Sequence, residues 1–320
     1  MTNILSTLAH ALGSPRVAYL GPPGSFTGQA ATQMFGANAI LEATPAYDVP
    51  RQVRRGHARG GTDFGVMATA NIKHGYIETT FSALYDTADV QVVGELLLAV
   101  EFHLLVGPTK MQDIHTVMSH DAALQQCRNG LDRLDAELGR RVSRVPTTST
   151  SAAVQKAAET PGVAALGSIG AARQYPVQVL RTGMQDHPEN VTHFWAIGMG
   201  HNVAPAERNK TLFLVELEPG TRSMMRLMQL FAEHGVVISK FKEHIIPQKS
   251  RPAQWNHAYF IECEGHVSDP GLNAIYRALR RAEWNVLRGR RGRLLGSFPA
   301  FACEQLHFEP RHRSDSLRAA

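Results

Sequence analysis

Serine and threonine at the start of a helix suit an anion. The first helical turn leaves backbone N–H groups without partners, and the helix dipole favours negative charge there. The chain has three such turns: Gly24-Ser25-Phe26-Thr27, Thr147-Thr148-Ser149-Thr150-Ser151 and Gly167-Ser168. Each also reads as a plain helix cap. Asn71 lies in Ala68-Thr69-Ala70-Asn71-Ile72. Its carboxamide can bond a carboxylate or a keto group, or it can close a turn before Lys73-His74-Gly75. His74 and His193 are candidate proton donors, because imidazole titrates near neutral pH. The chain holds 15 histidines, so the plain reading of each is a surface or hydrogen-bonded residue. Thr192, taken alone, is an ordinary strand threonine.

The pattern of elements says what must position these groups. Residues 16–21 read as a strand entering a Gly-Pro-Pro-Gly turn, and residues 25–35 as a helix with Phe26, Ala30, Ala31 and Met34 on one face. Strand-like and helix-like segments keep alternating through residues 39–85 and again through 116–180. That alternation predicts an α/β layer with parallel strands. The apolar run 94–106 is broken by Glu95, Glu101 and His103. It is too short for a membrane and long for one straight strand, so it reads as a strand crossing between two lobes. Residues 191–198 read as a return strand, and residues 199–209 as a linker. Residues 211–296 follow a βαββαβ order, the ferredoxin-like arrangement. Residues 1–15 read as a leader and 300–320 as a tail.

Composition narrows the function. With 320 residues and 43% hydrophobic content the chain is globular, with room for about two domains. No apolar run is long enough for a membrane helix, and the N-terminus lacks a secretory pattern. Cys127, Cys263 and Cys303 make no disulfide framework and no metal spacing, so the expected compartment is the reducing cytoplasm. The net charge of +5 lies partly in residues 288–293 (RGRRGR). We read that run as a solvated surface rather than a nucleic-acid site; a mildly basic chain does suit a small anionic substrate.

Five segments in order resemble the prephenate dehydratase family: Gly21-Pro22-Pro23-Gly24-Ser25-Phe26-Thr27, Ser119-His120-Asp121-Ala122-Ala123-Leu124-Gln125-Gln126-Cys127, residues 147–153, residues 164–175, and Asn190-Val191-Thr192-His193-Phe194. The resemblance spans about residues 16–299. It implies a two-lobed catalytic domain over 16–200, like the periplasmic binding proteins. Lobe 1 would take about 16–94 plus 190–200, and lobe 2 about 100–185. A ferredoxin-like ACT domain would follow over 210–299. It implies a doubly charged substrate, prephenate or a close relative, and no cofactor or metal. A homodimer or homotetramer is implied, without nucleic-acid or membrane partners. It places Thr192, His193 and Asn71 at the chemistry, with Thr192 helping the ring hydroxyl to leave. Ser25, Phe26, Thr27, Thr148, Ser149, Ser168 and Phe194 would bind substrate.

Three positions depart from the family pattern: Ala70 stands for its glutamate, Ile72 for its serine and His193 for its arginine. If the lost charges belonged to the cleft, dehydration would suffer heavily, since one stabilising group is worth about 2.7–4 kcal/mol. The main expectation is therefore a non-aromatising prephenate decarboxylase of secondary metabolism, of the kind that serves antibiotic biosynthesis. The alternative is prephenate dehydratase, and a non-catalytic ligand sensor is a third reading. Thr221 and Arg222 replace small apolar residues of the family's effector motif, so weak or absent phenylalanine feedback is expected.

Overall fold

The computed structural model describes residues 13–200, 203–217, 219–247, 255–281 and 292–301. Most of the leader, of the tail and of the RGRRGR run lies outside the described residues.

The first sheet is built from β1 (Arg16–Leu20), β2 (Ile40–Thr44), β3 (Phe64–Asn71), β4 (Gly75–Tyr76) and β5 (Val90–Ala99), together with a later strand described below. Between these strands run α1 (Phe26–Phe35), α2 (Val49–Arg55) and α3 (Glu78–Asp86). Strands β1, β2 and β3 are parallel. The chain then passes to a second sheet of β6 (His103–Val106), β7 (Thr116–His120), β8 (Ser143–Thr147), β9 (Val163–Gly167) and β10 (Gln178–Arg181). Its helices are α4 (Asp121–Gln126), α5 (Arg128–Leu138), α6 (Thr150–Glu159) and α7 (Ile169–Gln174). Strand β11 (Val191–Met199) returns to the first sheet and inserts antiparallel between β3 and β5.

The apolar run 94–106 is thus two strands rather than one. Strand β5 closes the first sheet, β6 opens the second, and a short link passes between them. Helix α5 adds Leu131 and Leu134 to the core of the second lobe.

The C-terminal unit has β12 (Asn209–Leu217), α8 (Thr221–Glu233), β13 (Ile238–Pro247), β14 (Trp255–Glu264), α9 (Pro270–Leu279) and β15 (Arg293–Pro299). Its sheet order is β13-β14-β12-β15, all antiparallel. One sheet face carries Phe213, Val215 and Ile261 against Leu227 and Phe231 of α8 and Ile275 of α9. The other carries Leu212, Leu214, Phe260 and Phe298. These share one core with Phe81, Leu84, Trp195 and Ile197 of the first lobe. The period-2 alternation of a strand sends its residues to opposite faces, so this one sheet is apolar on both sides.

Among the described residues no helix is long and apolar enough to cross a membrane.

Candidate active site

In open α/β sheets the ligand site lies beyond the carboxyl ends of the parallel strands. Those ends include Leu20 of β1, Asn71 of β3, His120 of β7, Thr147 of β8 and Gly167 of β9. The antiparallel β11 begins at the same end, with Thr192 in register with Asn71. Both connections between the lobes, residues 100–102 and 182–190, pass there as well.

At this end Asn71 holds the seam. Its Nδ2 donates to Thr192 Oγ1 at 2.9 Å, Asn190 Oδ1 at 2.9 Å and the Val191 carbonyl at 3.2 Å. Its Oδ1 accepts from the Lys73 and His74 amides. The turn-forming and strand-clamping roles of Asn71 therefore coexist. Asn190 reaches across to the second lobe, where its Nδ2 donates to Gln126 Oε1 at 2.7 Å. Gln126 Nε2 lies 2.8 Å from His74 Nε2. Thr192 accepts from Asn71 and keeps its own proton for another acceptor. Gln126 and Asn190 were not singled out from the sequence, although both stand inside the quoted motifs.

The three helix starts differ. Ser25 caps α1 by accepting from the Gly28 amide at 3.2 Å, and donates to the Leu20 carbonyl. Ser168 caps α7 and donates across the lobes to the Gly24 carbonyl at 2.7 Å. Both hydroxyls are thus engaged inside the protein. Gly24, at φ +79°, allows this approach: a Cβ there would stand 2.8 Å from Ala171 Cα. Ser149 caps α6 by accepting from the Ala152 amide, and Thr148 beside it is exposed. Thr27 is buried in the first turn of α1. The Phe26 ring sits edge-on to Phe102 at 5.4 Å and packs on the cores of both lobes.

Two expected site residues lie away from the seam. Phe194 is 1% exposed in the core with Val17, Phe64 and Ala196, where it supports the sheet. His193 faces away from Thr192, as alternation along β11 requires. Its Nε2 lies 2.8 Å from Glu95 Oε2 and its Nδ1 lies 2.7 Å from Thr69 Oγ1. It is not available to protonate a ligand in the cleft. Ala70 is the register partner of His193. A bulge in β3 at Thr69 turns both Thr69 and Ala70 to that same side, where a cavity of about 20 Å³ is also lined by Tyr76, Trp195 and Phe260.

The polar cluster behind the sheet includes two almost fully buried carboxylates. Glu95 pairs with Lys210 at 2.8 Å, and Lys210 lies 3.3 Å from Glu262, which in turn pairs with Lys240. Burial alone would raise Glu95, but the hydrogen bond from His193 and the charge and hydrogen bond of Lys210 overcome it and hold the carboxyl at about 2. Burial lowers His193 below its ordinary value, so the ring is neutral. A neutral ring that donates from Nε2 to the Glu95 carboxylate must accept at Nδ1 from the Thr69 hydroxyl.

These shifts fix a pH dependence. On acidification the unfolded chain takes up protons at His193 below about pH 6.5 and at Glu95 below about pH 4.5, before the folded state does. Each contribution is complete above those values and is lost as pH falls toward the lower folded-state value. The denaturant midpoint should therefore decline from pH 7 to about pH 3, with the Glu95 share lost below about pH 4.5. Glu95→Gln should flatten the acidic part. A wild-type midpoint constant across that range would contradict the assignment.

Burial also raises both described cysteines: Cys263 goes to about 12 and Cys127 goes well above its usual range, so neither is a nucleophile near neutral pH. Among the described residues no cluster of His, Cys, Asp or Glu could hold a metal ion.

Two α/β lobes joined by paired crossovers, with polar groups at facing strand ends, define a two-lobed cleft protein of the periplasmic-binding-protein-like class. The prephenate dehydratase family model matches residues 17–202. A bifunctional chorismate mutase/prephenate dehydratase of Stutzerimonas stutzeri is 30% identical over 285 residues, covering 89% of this chain and 73% of that protein. The corresponding Neisseria gonorrhoeae protein is 31% identical over 291 residues, covering 88% and 74%. Among solved structures, a prephenate dehydratase of Arthrobacter aurescens in complex with L-Phe superposes with a TM-score of 0.73 at 23% identity, covering 89% of each chain. A quorum quenching acylase, GqqA, superposes at 0.70 with 20% identity, covering 91% of this chain and 100% of its own. At such identities the structures speak for the fold alone. The chain belongs to the prephenate dehydratase family, and it is a lyase.

Proposed function

We propose that the chain is a prephenate dehydratase, converting prephenate and a proton to phenylpyruvate, carbon dioxide and water. The observation that carries this reading is the Thr192–Asn71 pair at the facing strand ends. In this reaction the bond to the ring carboxylate breaks and its electron pair moves through the diene. The C–O bond to the ring hydroxyl breaks at the other end, and the departing oxygen gains a proton. Thr192, held by Asn71 with its proton uncommitted, is suited to hydrogen-bond that oxygen as negative charge develops on it. The exposed Thr148 and the amides of the first turn of α6 are suited to one substrate carboxylate. Lys73 lies beside the seam and adds positive charge, although Glu189 at 3.6 Å shares it.

The non-aromatising decarboxylase, our leading expectation from the sequence, rested on charges missing from the cleft. Positions 70 and 193 face the C-terminal unit instead, so their replacement takes no group away from Thr192. That placement supports dehydration over decarboxylation alone. The C-terminal unit is proposed to be an ACT-like domain, covering 210–299, that serves assembly. The test is incubation with prephenate, followed by absorbance and mass spectrometry, with L-phenylalanine added in a second arm. Phenylpyruvate formation, unaffected by micromolar L-phenylalanine, is expected. A dihydro product without an aromatic ring would establish the decarboxylase. Saturable binding without turnover would establish a sensor. Strong inhibition by L-phenylalanine would overturn the expected loss of feedback.

A further inference from the structure

Glu95 is the meeting point of two parts of the molecule. It sits on β5, and its side chain is 1% exposed. From the catalytic sheet it receives only His193 Nε2. From the C-terminal unit and the segment after it, it receives the Lys210 ammonium and the Phe301 amide, the latter at 2.9 Å on Oε1. A buried carboxylate needs such donors, and removing part of a buried ionic network leaves an uncompensated charge. Were the C-terminal unit to lift away, Glu95 would keep a single neutral donor. His193 is the next residue along β11 from Thr192, and its ring is fixed by Glu95 and Thr69 on either side.

We infer that Glu95 and His193 are positioning residues through which the seating of the C-terminal unit sets the place of Thr192. The link runs from Lys210 and the Phe301 amide to Glu95, then to the His193 ring, and through one peptide to the Thr192 hydroxyl. A misplacement of about 1 Å at a reacting group can cost about a hundredfold in rate, so a small slackening of β11 is enough to register. This inference rests on the proposed dehydratase reading only where it speaks of turnover; the mechanical link stands without it.

The experiment compares the full chain with Glu95→Gln, Lys210→Met, their double variant and Lys210→Arg. Two readouts are taken below the melting temperature: prephenate kinetics, and amide hydrogen exchange of residues 191–194. Glu95→Gln and Lys210→Met are each expected to lower kcat about tenfold with KM changed less than twofold, and to raise exchange at 191–194 about tenfold. The double variant should be no worse than the poorer of these two, and Lys210→Arg, which keeps the charge, should match the unaltered protein in both readouts. Unchanged exchange in Glu95→Gln and Lys210→Met overturns the inference, and so does raised exchange with unchanged kcat. If the unaltered protein does not act on prephenate, the dehydratase reading fails, and the exchange data alone decide the link.

Discussion

Thr192→Ala should lower kcat for prephenate by about a hundredfold, and by no less than tenfold, with little change in KM. The hydroxyl accepts from Asn71 Nδ2 at 2.9 Å, which fixes the oxygen and leaves the proton pointing elsewhere. A donor that meets charge developing on a departing oxygen acts mainly in the transition state. Its removal therefore lowers kcat more than it weakens binding. Loss of one such donor typically costs about 10²–10³ in rate. Thr192 is 8% exposed, and without its hydroxyl Asn71 Nδ2 keeps two acceptors, Asn190 Oδ1 and the Val191 carbonyl, so folding should survive. Thr192→Ser, which keeps the hydroxyl, should retain most activity. Full turnover in Thr192→Ala would remove the residue from the chemistry and shift attention to Gln126 and His74, two other polar groups of the seam.

The sequence made the large pattern readable because the physics behind it is local. Strand–helix alternation predicts the parallel strands β1 to β3 and β7 to β9, although β5, β6, β10 and β11 make both sheets mixed, and the serines at 25, 149 and 168 are caps in the structure as their residue type suggests. The βαββαβ order of the last third was legible for the same reason. What was not legible depends on facing. Residues 192, 193 and 194 form one motif, yet a strand turns 193 to the opposite side and the depth of the sheet buries 194. The β3 bulge at Thr69 moves Ala70 to the His193 side, and no residue type announces it. Glu95 looked like an interruption in an apolar run. Its partners, His193, Lys210 and the Phe301 amide, lie 98, 115 and 206 residues away, beyond any periodicity. The same limitation hid that positions 70 and 193 lie on the side of the C-terminal unit. In register they are neighbours, so the loss of both charges together is charge-neutral.

That pairing gives a second strong expectation. His193→Arg alone should destabilise the fold by about 3 kcal/mol, because the site already balances Glu95 and Glu262 with Lys210 and Lys240, and an added buried guanidinium has no carboxylate of its own. Ala70→Glu alone should destabilise by a similar amount, since it adds a third carboxylate beside two buried ones. The two positions are register partners across β11 and β3. Combined, the introduced groups can pair with each other, and the double variant should recover at least about 2 kcal/mol over the sum of the singles. Denaturant unfolding of the four proteins near pH 7 measures this coupling. Strict additivity would mean that the side chains at 70 and 193 do not meet, and the argument that both departures lie outside the cleft would fall with it. Product analysis supplies an independent check. Because both side chains face the C-terminal unit, no variant in the set should change which compound prephenate becomes, only how fast. A switch of product on His193→Arg would return position 193 to the reacting ring and revive the decarboxylase as the native activity.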